Sequence, residues 1–190
     1  MSKLTIFDLD NTLLAGDSDR AWGQYIVEKK IVSDDFLIES EKFYNSYYEG
    51  DLDIDGFLAF CLKPLTENKL SELLELREGF IEDKIKPMML KEAIRTVNQK
   101  KLEGPVVIAT ATNSFVTRPI ADLFEIKDLI ATEFIIKDNE FNGQVDGIPC
   151  FREGKVKKVE EWVNTNGYNL SSATFYSDSF NDLPLLKKVG

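Results

Sequence analysis

The chain has 190 residues, of which 43% are hydrophobic and 29% charged, and its net charge at pH 7 is −10. This composition excludes disordered and fibrous proteins, and the length suits one core with a modest insertion. No apolar run approaches the roughly 18 residues of a membrane-spanning helix, and Asp8 interrupts the first apolar stretch too early for a signal peptide. The acidic balance argues against nucleic acid or an anionic membrane surface as a partner.

Two residue counts restrict the chemistry further. The chain has no histidine, so Ser-His-Asp catalysis, Cys-His catalysis and histidine-bound zinc are excluded. Any acid–base step must therefore use carboxylates or lysines. The two cysteines, Cys61 and Cys150, are too few for a disulfide framework and predict a reducing, cytoplasmic location. Chemistry with carboxylates and a hard metal ion remains.

The predicted elements begin with a short buried strand over 3–8, which ends in the turn-like stretch Asp10-Asn11-Thr12. Residues 17–86 follow as an all-helical tract that is unusually aromatic, and Pro87 marks its end. Apolar residues recur there at helical spacing in three places, with a short helix predicted between the second and the third. These helices lie near 21–26, 43–48, 57–60 and 70–81.

Strands and helices then alternate to the end of the chain. The predictions are a helix over 91–102, a strand over 105–109, a helix over 117–124 with Pro119 in its first turn, strand character over 129–136, a hairpin arm over 141–145, a helix over 155–162, a strand over 174–176 and a helix from Asp182. Such alternation is typical of an α/β protein with a doubly wound parallel sheet.

The helical tract after the first strand is then interpreted as an inserted cap. We predict a discontinuous core of residues 1–15 and 87–190 and a helical cap over 16–86. The chain ends a few residues into a helix, where another strand is expected. Either that helix closes the fold or the natural C-terminus is missing, and we favour the second interpretation.

Ligands bind open α/β sheets at the carboxyl ends of the strands, and polar residues follow the predicted strands of this chain. The first strand is followed by Asp8 and Asp10, the second by Thr110 and Thr112, and the last by Asp178, Asn181 and Asp182, while Lys155 opens a helix after Gly154. Carboxylates, a hydroxyl and an ammonium group are what phosphoryl transfer through an aspartate requires.

These stretches resemble the four motifs of the haloacid dehalogenase (HAD) superfamily in order and spacing. The matching residues are Asp8-Leu9-Asp10-Asn11-Thr12, Thr110 after the apolar run 106–109, Lys155, and Asp178-Ser179-Phe180-Asn181-Asp182. The helical insertion after the first motif is similar to the C1-type cap of the phosphoserine-phosphatase-like subfamily (IB), on a Rossmann-like core. Members of this subfamily normally continue past the fourth motif, which supports the hypothesis of a missing C-terminus.

The resemblance implies Mg²⁺-dependent hydrolysis of a small phosphorylated metabolite through an aspartyl-phosphate. Asp8 is the expected nucleophile, and Asp10, two residues on and on the same side of the pleat, is the expected general acid and base. Lys155 would supply positive charge to Asp8 and to the phosphate. By resemblance, the Mg²⁺ ligands are the Asp8 side chain, the Asp10 backbone carbonyl and the Asp178 side chain.

The remaining site residues are predicted to bind phosphate or to orient other groups. Thr110 would bind the phosphoryl oxygens, although Thr112 competes for this role. The expected phosphate- or substrate-binding set is Leu9, Thr110, Ala111 and Asn181. Asp182 is predicted to orient Lys155 or a metal-bound water, and the alternative is that it only caps the following helix. Two departures from the family pattern are the Thr in the second motif and Ser-Asp-Ser in place of Gly-Asp-Gly in the fourth.

The start of the cap and the aromatic faces of its helices carry the expected substrate contacts. Asp17 and Asp19 would pair with an amine or imidazolium, Arg20 would bind a carboxylate or phosphate, and Trp22 would stack on a ring. The alternative is structural, with Asp17 as a helix N-cap and Trp22 in the core. The local sequence is similar to bacterial family members that act on histidinol phosphate or phosphoserine, and two acids beside an aromatic residue favour the former.

Other functions stay open from sequence. A phosphotransferase or mutase of the same fold would pass the phosphoryl group to an alcohol, and a non-catalytic relative would only bind phosphate. A receiver domain also stores an aspartyl-phosphate, but it lacks a helical insertion of this size and the second acid of the first motif. The sequence does not indicate whether the protein is a monomer or an oligomer.

Overall fold

The computed structural model describes residues 3–190. Its centre is a five-stranded sheet formed by β1 (Thr5–Phe7), β2 (Val106–Asn113), β3 (Asp128–Lys137), β4 (Glu140–Asp146) and β5 (Thr174–Tyr176). The strand order is β4-β3-β2-β1-β5, and only β4 is antiparallel to its neighbour. The predicted α/β fold, with a mostly parallel sheet and a hairpin arm, is confirmed.

The chain reverses its direction of winding at β1. Successive strands β1, β2 and β3 lie side by side, whereas β5 returns to the other edge of β1. Such a reversal opens a crevice at the carboxyl ends of the strands, which is where ligands bind in open α/β sheets. The residues that follow β1, β2 and β5 are therefore brought to one place.

Two apolar layers cover the sheet, because alternate residues of a strand point to opposite faces. Ile6 of β1 packs with Val107 and with Val159, and its neighbour Phe7 packs with Ile108 in the other layer. The layer that contains Phe7 also includes side chains from the predicted cap, such as Trp22. The proposed division of the chain into a core and a cap over 16–86 stays a prediction.

The tract between β1 and β2 is helical throughout, as predicted. It contains α1 (Ser18–Glu28), α2 (Asp35–Glu49), α3 (Ile54–Thr66), α4 (Leu70–Phe80), a π-helical turn (Ile81–Ile85), α5 (Lys86–Met88) and α6 (Lys91–Glu103). The helix predicted around 57–60 is present as α3, but it is not short as predicted, since it has 13 residues. The Asp53 side chain caps its start, and buried Leu58, Leu62 and Leu65 carry one apolar face through to its end.

The later helices are α7 (Ser114–Leu123), α8 (Glu153–Thr165) and α9 (Leu183–Leu186). Contrary to prediction, α7 begins three residues before Thr117, because the Asn113 side chain accepts a hydrogen bond from Val116 N and caps the helix. Pro119 therefore lies inside the helix and leaves the carbonyl of Phe115 without its usual donor. Arg77 Nη1 of α4 donates to that carbonyl at 2.8 Å.

The start of α8 also differs from its prediction. The helix begins at Glu153, so Gly154 lies in its first turn and Lys155 is its third residue. A Cβ on Gly154 would collide with the carbonyl oxygen of Pro149, which makes glycine necessary at this point. Both cysteines, Cys61 and Cys150, are free thiols. Within residues 3–190, no helix combines the length and the apolar character needed to cross a bilayer.

Candidate active site

A cavity of about 320 Å³ lies at the carboxyl ends of β1, β2 and β5. Side chains and backbone that follow the strands line one side, together with the start of α8. The other side belongs to the helical tract. The polar residues of the lining that matter below are Asp8, Asp10, Asp17, Asp19, Thr110, Thr112, Lys155, Asp178, Asn181 and Asp182. The fold thus brings together all four of the stretches that the sequence singled out.

Asp8 is the first residue after β1 and is only 6% exposed. Its backbone N–H donates to the carbonyl of Tyr176 at 2.9 Å, which holds Asp8 in line with the sheet. Asp8 Oδ1 accepts a hydrogen bond from Lys155 Nζ at 3.0 Å. Burial raises the pKa of Asp8 to about 7, and Lys155 opposes that rise.

Lys155 is shared between two carboxylates. Its Nζ lies 3.0 Å from Asp8 Oδ1 and 2.6 Å from Asp182 Oδ1. Burial by itself lowers the pKa of Lys155, but the two carboxylates outweigh burial and the net shift is upward. The ammonium is therefore held in its charged form beside Asp8.

Asp182 stands at the N-cap position of α9 but makes no capping hydrogen bond with its side chain. Its Oδ2 instead accepts from Ser177 Oγ at 2.7 Å, while Oδ1 faces Lys155. Of the two roles that the sequence left open for Asp182, the geometry favours the orientation of Lys155 over the capping of a helix.

Asp10 has both carboxylate oxygens engaged by the protein. Oδ1 accepts from the backbone N–H of Ser18 at 2.7 Å, and Oδ2 accepts from Thr112 Oγ1 at 2.8 Å. Burial and the nearby Asp17 raise the pKa of Asp10 to about 7, and the hydrogen bonds from Ser18 oppose that rise. Because Ser18 is the first residue of α1, Asp10 ties the first strand to the first helix.

Thr110 and Thr112 lie where β2 loses its regular pairing with β3, since the register shifts between Ala109 and Asn113. Both hydroxyls point toward Asp10 Oδ2, at 3.5 Å for Thr110 and 2.8 Å for Thr112. The intervening Ala111 also lines the cavity. The structure thus keeps both threonines at the site and gives Thr112 the closer contact with Asp10.

The loop after β5 contacts the loop after β1 and the helix α2. Asp178 Oδ1 accepts from Thr12 Oγ1 at 3.2 Å. Asn181 is buried, lines the cavity, and donates from Nδ2 to the carbonyl of Tyr47 at 3.3 Å. Tyr47 and Ser179 also share a hydrogen bond of 2.7 Å between their hydroxyls. Two hydrogen bonds therefore hold the end of α2 against the loop that carries Asp178.

Asp17 and Asp19 both line the cavity, as expected for the start of the cap. Asp17 also caps α1, because its Oδ1 accepts from the N–H of Arg20 at 2.8 Å. Asp19 Oδ2 accepts from the hydroxyl of Tyr44 at 3.3 Å, and the Cys61 thiol lies 3.6 Å away. Burial raises the pKa of both acids to about 6, and for Asp17 the neighbouring Asp19 adds to the rise.

The side chains of three predicted substrate contacts do not line the cavity. Trp22 is packed in the core against Phe80 and Phe115, so its apolar surface is already buried. Arg20 is turned away to pair with Glu41. The Leu9 side chain is fully buried in the core, which leaves only its backbone between Asp8 and Asp10. The structure corrects the placement of these three side chains.

The aromatic faces of the cap helices were expected to contact the substrate, and α2 and α3 do contribute aromatic side chains to the cavity lining. The residues are Phe43, Tyr44, Tyr47, Tyr48 and Phe57, with Phe151 and Phe180 from the core side. The aromatic spacing near 43–48 predicts a helix, but it does not tell which of the rings face the cavity and which face other helices. Sequence reasoning missed Arg152, whose guanidinium contacts Asn181, a residue 29 positions away in the sequence.

Comparison with known proteins places this fold and site in a family. Residues 5–187 match the family model described as haloacid dehalogenase-like hydrolase. A histidinol-phosphatase of Neisseria meningitidis is 38% identical over 195 aligned residues, covering 100% of this chain and 88% of that protein. The chain therefore belongs to the haloacid dehalogenase-like hydrolase family, and within it to the phosphoric monoester hydrolases.

Two solved structures agree with this assignment. A protein of unknown function from Bordetella pertussis Tohama I superposes with a TM-score of 0.87 at 35% identity, over 98% of this chain and 87% of that one. A substrate-bound phosphoserine phosphatase superposes with a TM-score of 0.72 at 21% identity, over 100% of this chain and 84% of that one. The second likeness concerns the fold alone.

Proposed function

We propose that this phosphatase hydrolyses a small phosphorylated amine through an aspartyl-phosphate formed on Asp8. One observation carries the proposal. A buried carboxylate at the end of the central strand is held 3.0 Å from a buried ammonium, and a second, hydrogen-bonded acid follows two residues later in the same cavity. This combination supplies a nucleophile, a charge partner and an acid–base group.

The reaction follows from the positions of these groups. An Asp8 oxygen attacks phosphorus, the bond from phosphorus to the ester oxygen breaks, and protonated Asp10 gives its proton to the leaving alcohol. Asp10, now ionised, takes a proton from a water that attacks the phosphorus of the aspartyl-phosphate. The bond from phosphorus to Asp8 then breaks, which releases phosphate and restores both acids. A pKa of about 7 suits Asp10 to both proton transfers.

The residues around Asp8 fit a divalent cation. Within residues 3–190 no three acidic or thiol side chains are grouped to hold an ion. Asp8 and Asp178 nevertheless both line the cavity, and the engaged side chain of Asp10 leaves its backbone carbonyl as the available donor. Two carboxylates and a carbonyl match what Mg²⁺ takes from proteins when it keeps several waters. When bound, Mg²⁺ would neutralise charge between Asp8 and the phosphate.

Other residues would bind and orient the phosphate. Lys155 is held in the charged form by Asp182, and its ammonium reaches Asp8, where the phosphoryl group is to be attached. We propose that Thr110, the backbone at Leu9 and Ala111, and the amide of Asn181 donate to the phosphoryl oxygens. Thr112 instead orients Asp10.

The cavity lining favours a substrate with positive charge and no carboxylate. Among residues 3–190, Lys155 is the only cationic side chain that lines the cavity, and it is occupied by two carboxylates. Asp17 and Asp19 lie on the opposite side together with aromatic rings, which suits an ammonium or imidazolium group. Histidinol phosphate has both groups and no carboxylate, whereas the carboxylate of phosphoserine would meet acids. The similarity to a histidinol-phosphatase supports the same choice.

The test is phosphate release from histidinol phosphate, phosphoserine and p-nitrophenyl phosphate, with Mg²⁺ and with EDTA. We expect Mg²⁺-dependent release, at least tenfold higher kcat/KM for histidinol phosphate than for phosphoserine, and no release by Asp8→Asn. Asp19→Asn should lower kcat/KM for histidinol phosphate about tenfold or more and leave p-nitrophenyl phosphate within about threefold. Equal kcat/KM for all three esters would contradict the proposed substrate class.

Product analysis separates the remaining alternatives. A hydrolase releases free phosphate in equal amount to the alcohol, even when glycerol or another alcohol is added. A phosphotransferase would produce a new phosphate ester instead. Binding of phosphate without turnover of any ester by the wild-type protein would identify a non-catalytic relative.

A further inference from the structure

Arg152 is held in an unusual backbone conformation immediately before α8. Its φ is 48° and its ψ −118°, a region that residues other than glycine rarely adopt. A side chain at such a position must be held by its surroundings, and strained residues of this kind cluster at functional sites. Glycine would meet the backbone requirement without strain, so the reason for arginine must lie in its guanidinium.

The guanidinium joins two segments that are far apart in the sequence. Nε and Nη2 donate to Asn181 Oδ1 at 3.0 and 2.9 Å, and Nη2 also donates to the carbonyl of Gly50. Gly50 ends α2 in the left-handed conformation, with φ 83°. Within residues 3–190, no carboxylate lies within ion-pair distance of Arg152. Its charge is thus directed to an amide and a carbonyl.

This contact decides which way the amide of Asn181 points. A guanidinium has donors only, so it selects the oxygen Oδ1 and turns the NH₂ group away from itself. One N–H of that group reaches the carbonyl of Tyr47 at 3.3 Å. The second N–H remains for a ligand, because Asn181 lines the cavity beside Asp178. In the flipped amide, an oxygen would repel the phosphate.

We propose that Arg152 is a positioning residue that holds the NH₂ group of Asn181 toward the phosphoryl oxygens and ties the end of α2 to that amide. The inference rests on the proposed function, because the phosphoryl group is what Asn181 is expected to bind. Arg152 does not line the cavity and acts only through Asn181 and Gly50.

Arg152→Gly is the decisive variant, since glycine relieves the backbone strain while it removes the guanidinium. We expect a melting temperature equal to or above that of the wild type, with kcat/KM for histidinol phosphate lowered about ten- to a hundredfold. The kcat/KM of Arg152→Lys should be as low as that of Arg152→Gly, because an ammonium lacks the planar fork that donates to Asn181 and Gly50 at the same time. Millimolar guanidinium should restore part of the activity of Arg152→Gly but not of Arg152→Lys.

Lys30→Gly is a matched control. Lys30 is an exposed cationic residue with φ 60° after α1, so this change removes one positive charge and the same kind of backbone strain. We expect wild-type kcat/KM from it. A purely structural role of Arg152 predicts the opposite pattern, with a lower melting temperature and an unchanged kcat/KM for Arg152→Gly, and would overturn the proposal.

A double-mutant cycle tests whether Arg152 acts through Asn181. In the Asn181→Ala background, Arg152→Gly should lower kcat/KM less than twofold further. A full ten- to hundredfold loss in that background would overturn the proposal.

Binding of inorganic phosphate, measured by calorimetry with Mg²⁺, separates this inference from the proposed function. If the wild type binds phosphate but releases none from any ester, the proposed function fails, and the ratio of Kd values still decides the role of Arg152. A tenfold weaker Kd for Arg152→Gly supports that role, and an equal Kd overturns it. Absence of both binding and turnover in the wild type would overturn both proposals.

Discussion

Lys155 Nζ lies closer to Asp182 Oδ1, at 2.6 Å, than to Asp8 Oδ1, at 3.0 Å. The proposed charge partner of the nucleophile is therefore anchored by another carboxylate. Both acids and the lysine are buried, so the group has little solvent to replace a lost partner. Asp182 is in turn held by Ser177 Oγ at 2.7 Å.

Asp182→Asn should lower kcat/KM about ten- to a hundredfold, because it removes the charge that positions Lys155. The free energy of unfolding should fall on the order of 1–3 kcal/mol, since a buried ion pair loses a partner while Asp8 remains. Ser177→Ala is the matched control, and it removes one hydrogen bond to Asp182 with a smaller effect on both quantities. Steady-state kinetics and urea unfolding measure them. Unchanged kinetics of Asp182→Asn would mean that Lys155 needs only Asp8.

Thr112→Val should lower kcat about tenfold with little change in KM. The substitution keeps the shape of the side chain but removes the hydroxyl that donates to Asp10 Oδ2 at 2.8 Å, so the acid loses its orientation. Thr112→Ser retains the hydroxyl and should keep kcat within about twofold of the wild type. Steady-state kinetics with histidinol phosphate compares the two variants. Wild-type kcat in Thr112→Val together with a loss in Thr112→Ser would show that the methyl group matters and not the hydrogen bond.

Arg77 and Pro119 should be energetically coupled. Arg77→Met leaves the carbonyl of Phe115 without a donor and should lower the free energy of unfolding by about 1–3 kcal/mol. Pro119→Ala restores an N–H that can donate to the same carbonyl within the helix. In the Pro119→Ala background, the cost of Arg77→Met should therefore be smaller by about 0.5–1.5 kcal/mol. Urea unfolding of the four proteins measures the coupling, and simple additivity would contradict it.

The metal-free protein should become less stable as pH rises from about 4 to 7. Burial raises the pKa of Asp17 and Asp19 to about 6 from an ordinary value of 3.8. The folded chain therefore binds more protons than the unfolded chain in this range, and the free energy of unfolding falls with increasing pH. The stabilising contribution is complete below pH 4 and is lost as pH passes 6.

Asp19→Asn should remove part of that pH dependence. At pH 7.5 in EDTA, we expect it to stabilise the protein on the order of 1–3 kcal/mol, and at pH 4.5 by much less. The exposed Asp51→Asn is the matched control and should have no such effect. Thermal and urea unfolding at several pH values give the curves. A metal-free stability that rises between pH 4.5 and 7 would contradict the burial of these carboxylates.

Much of the fold was predictable from local pattern. A β-branched run before Thr110 and an apolar run before Asp8 are typical of buried parallel strands, and their alternation with helical periodicity predicts the α/β class. The helix boundaries were less predictable from periodicity alone where a single side-chain contact decides them, whether the side chain is adjacent or distant in the sequence. The start of α7 depends on the cap from Asn113, which directly precedes it. Pro119 is accommodated inside the helix because Arg77 from another helix donates to the carbonyl that Pro119 leaves without a partner.

The sequence by itself determined the kinds and the order of the polar groups at the strand ends, because strand ends in a parallel sheet meet at one edge whatever the details of packing. It also determined that acid–base chemistry must use carboxylates, since the chain has no histidine. These properties depend on residue type and on spacing along the chain, which a sequence contains in full.

Only the tertiary structure decided which side chains face the cavity. Trp22 and Asp19 stand three residues apart on α1, yet Trp22 packs in the core and Asp19 lines the cavity. The Asp182 carboxylate pairs with Lys155, which is 27 residues away in the sequence. The Arg152 guanidinium donates to the carbonyl of Gly50, which is 102 residues away. Such choices are settled by the burial and hydrogen bonding of distant partners, which local periodicity does not encode.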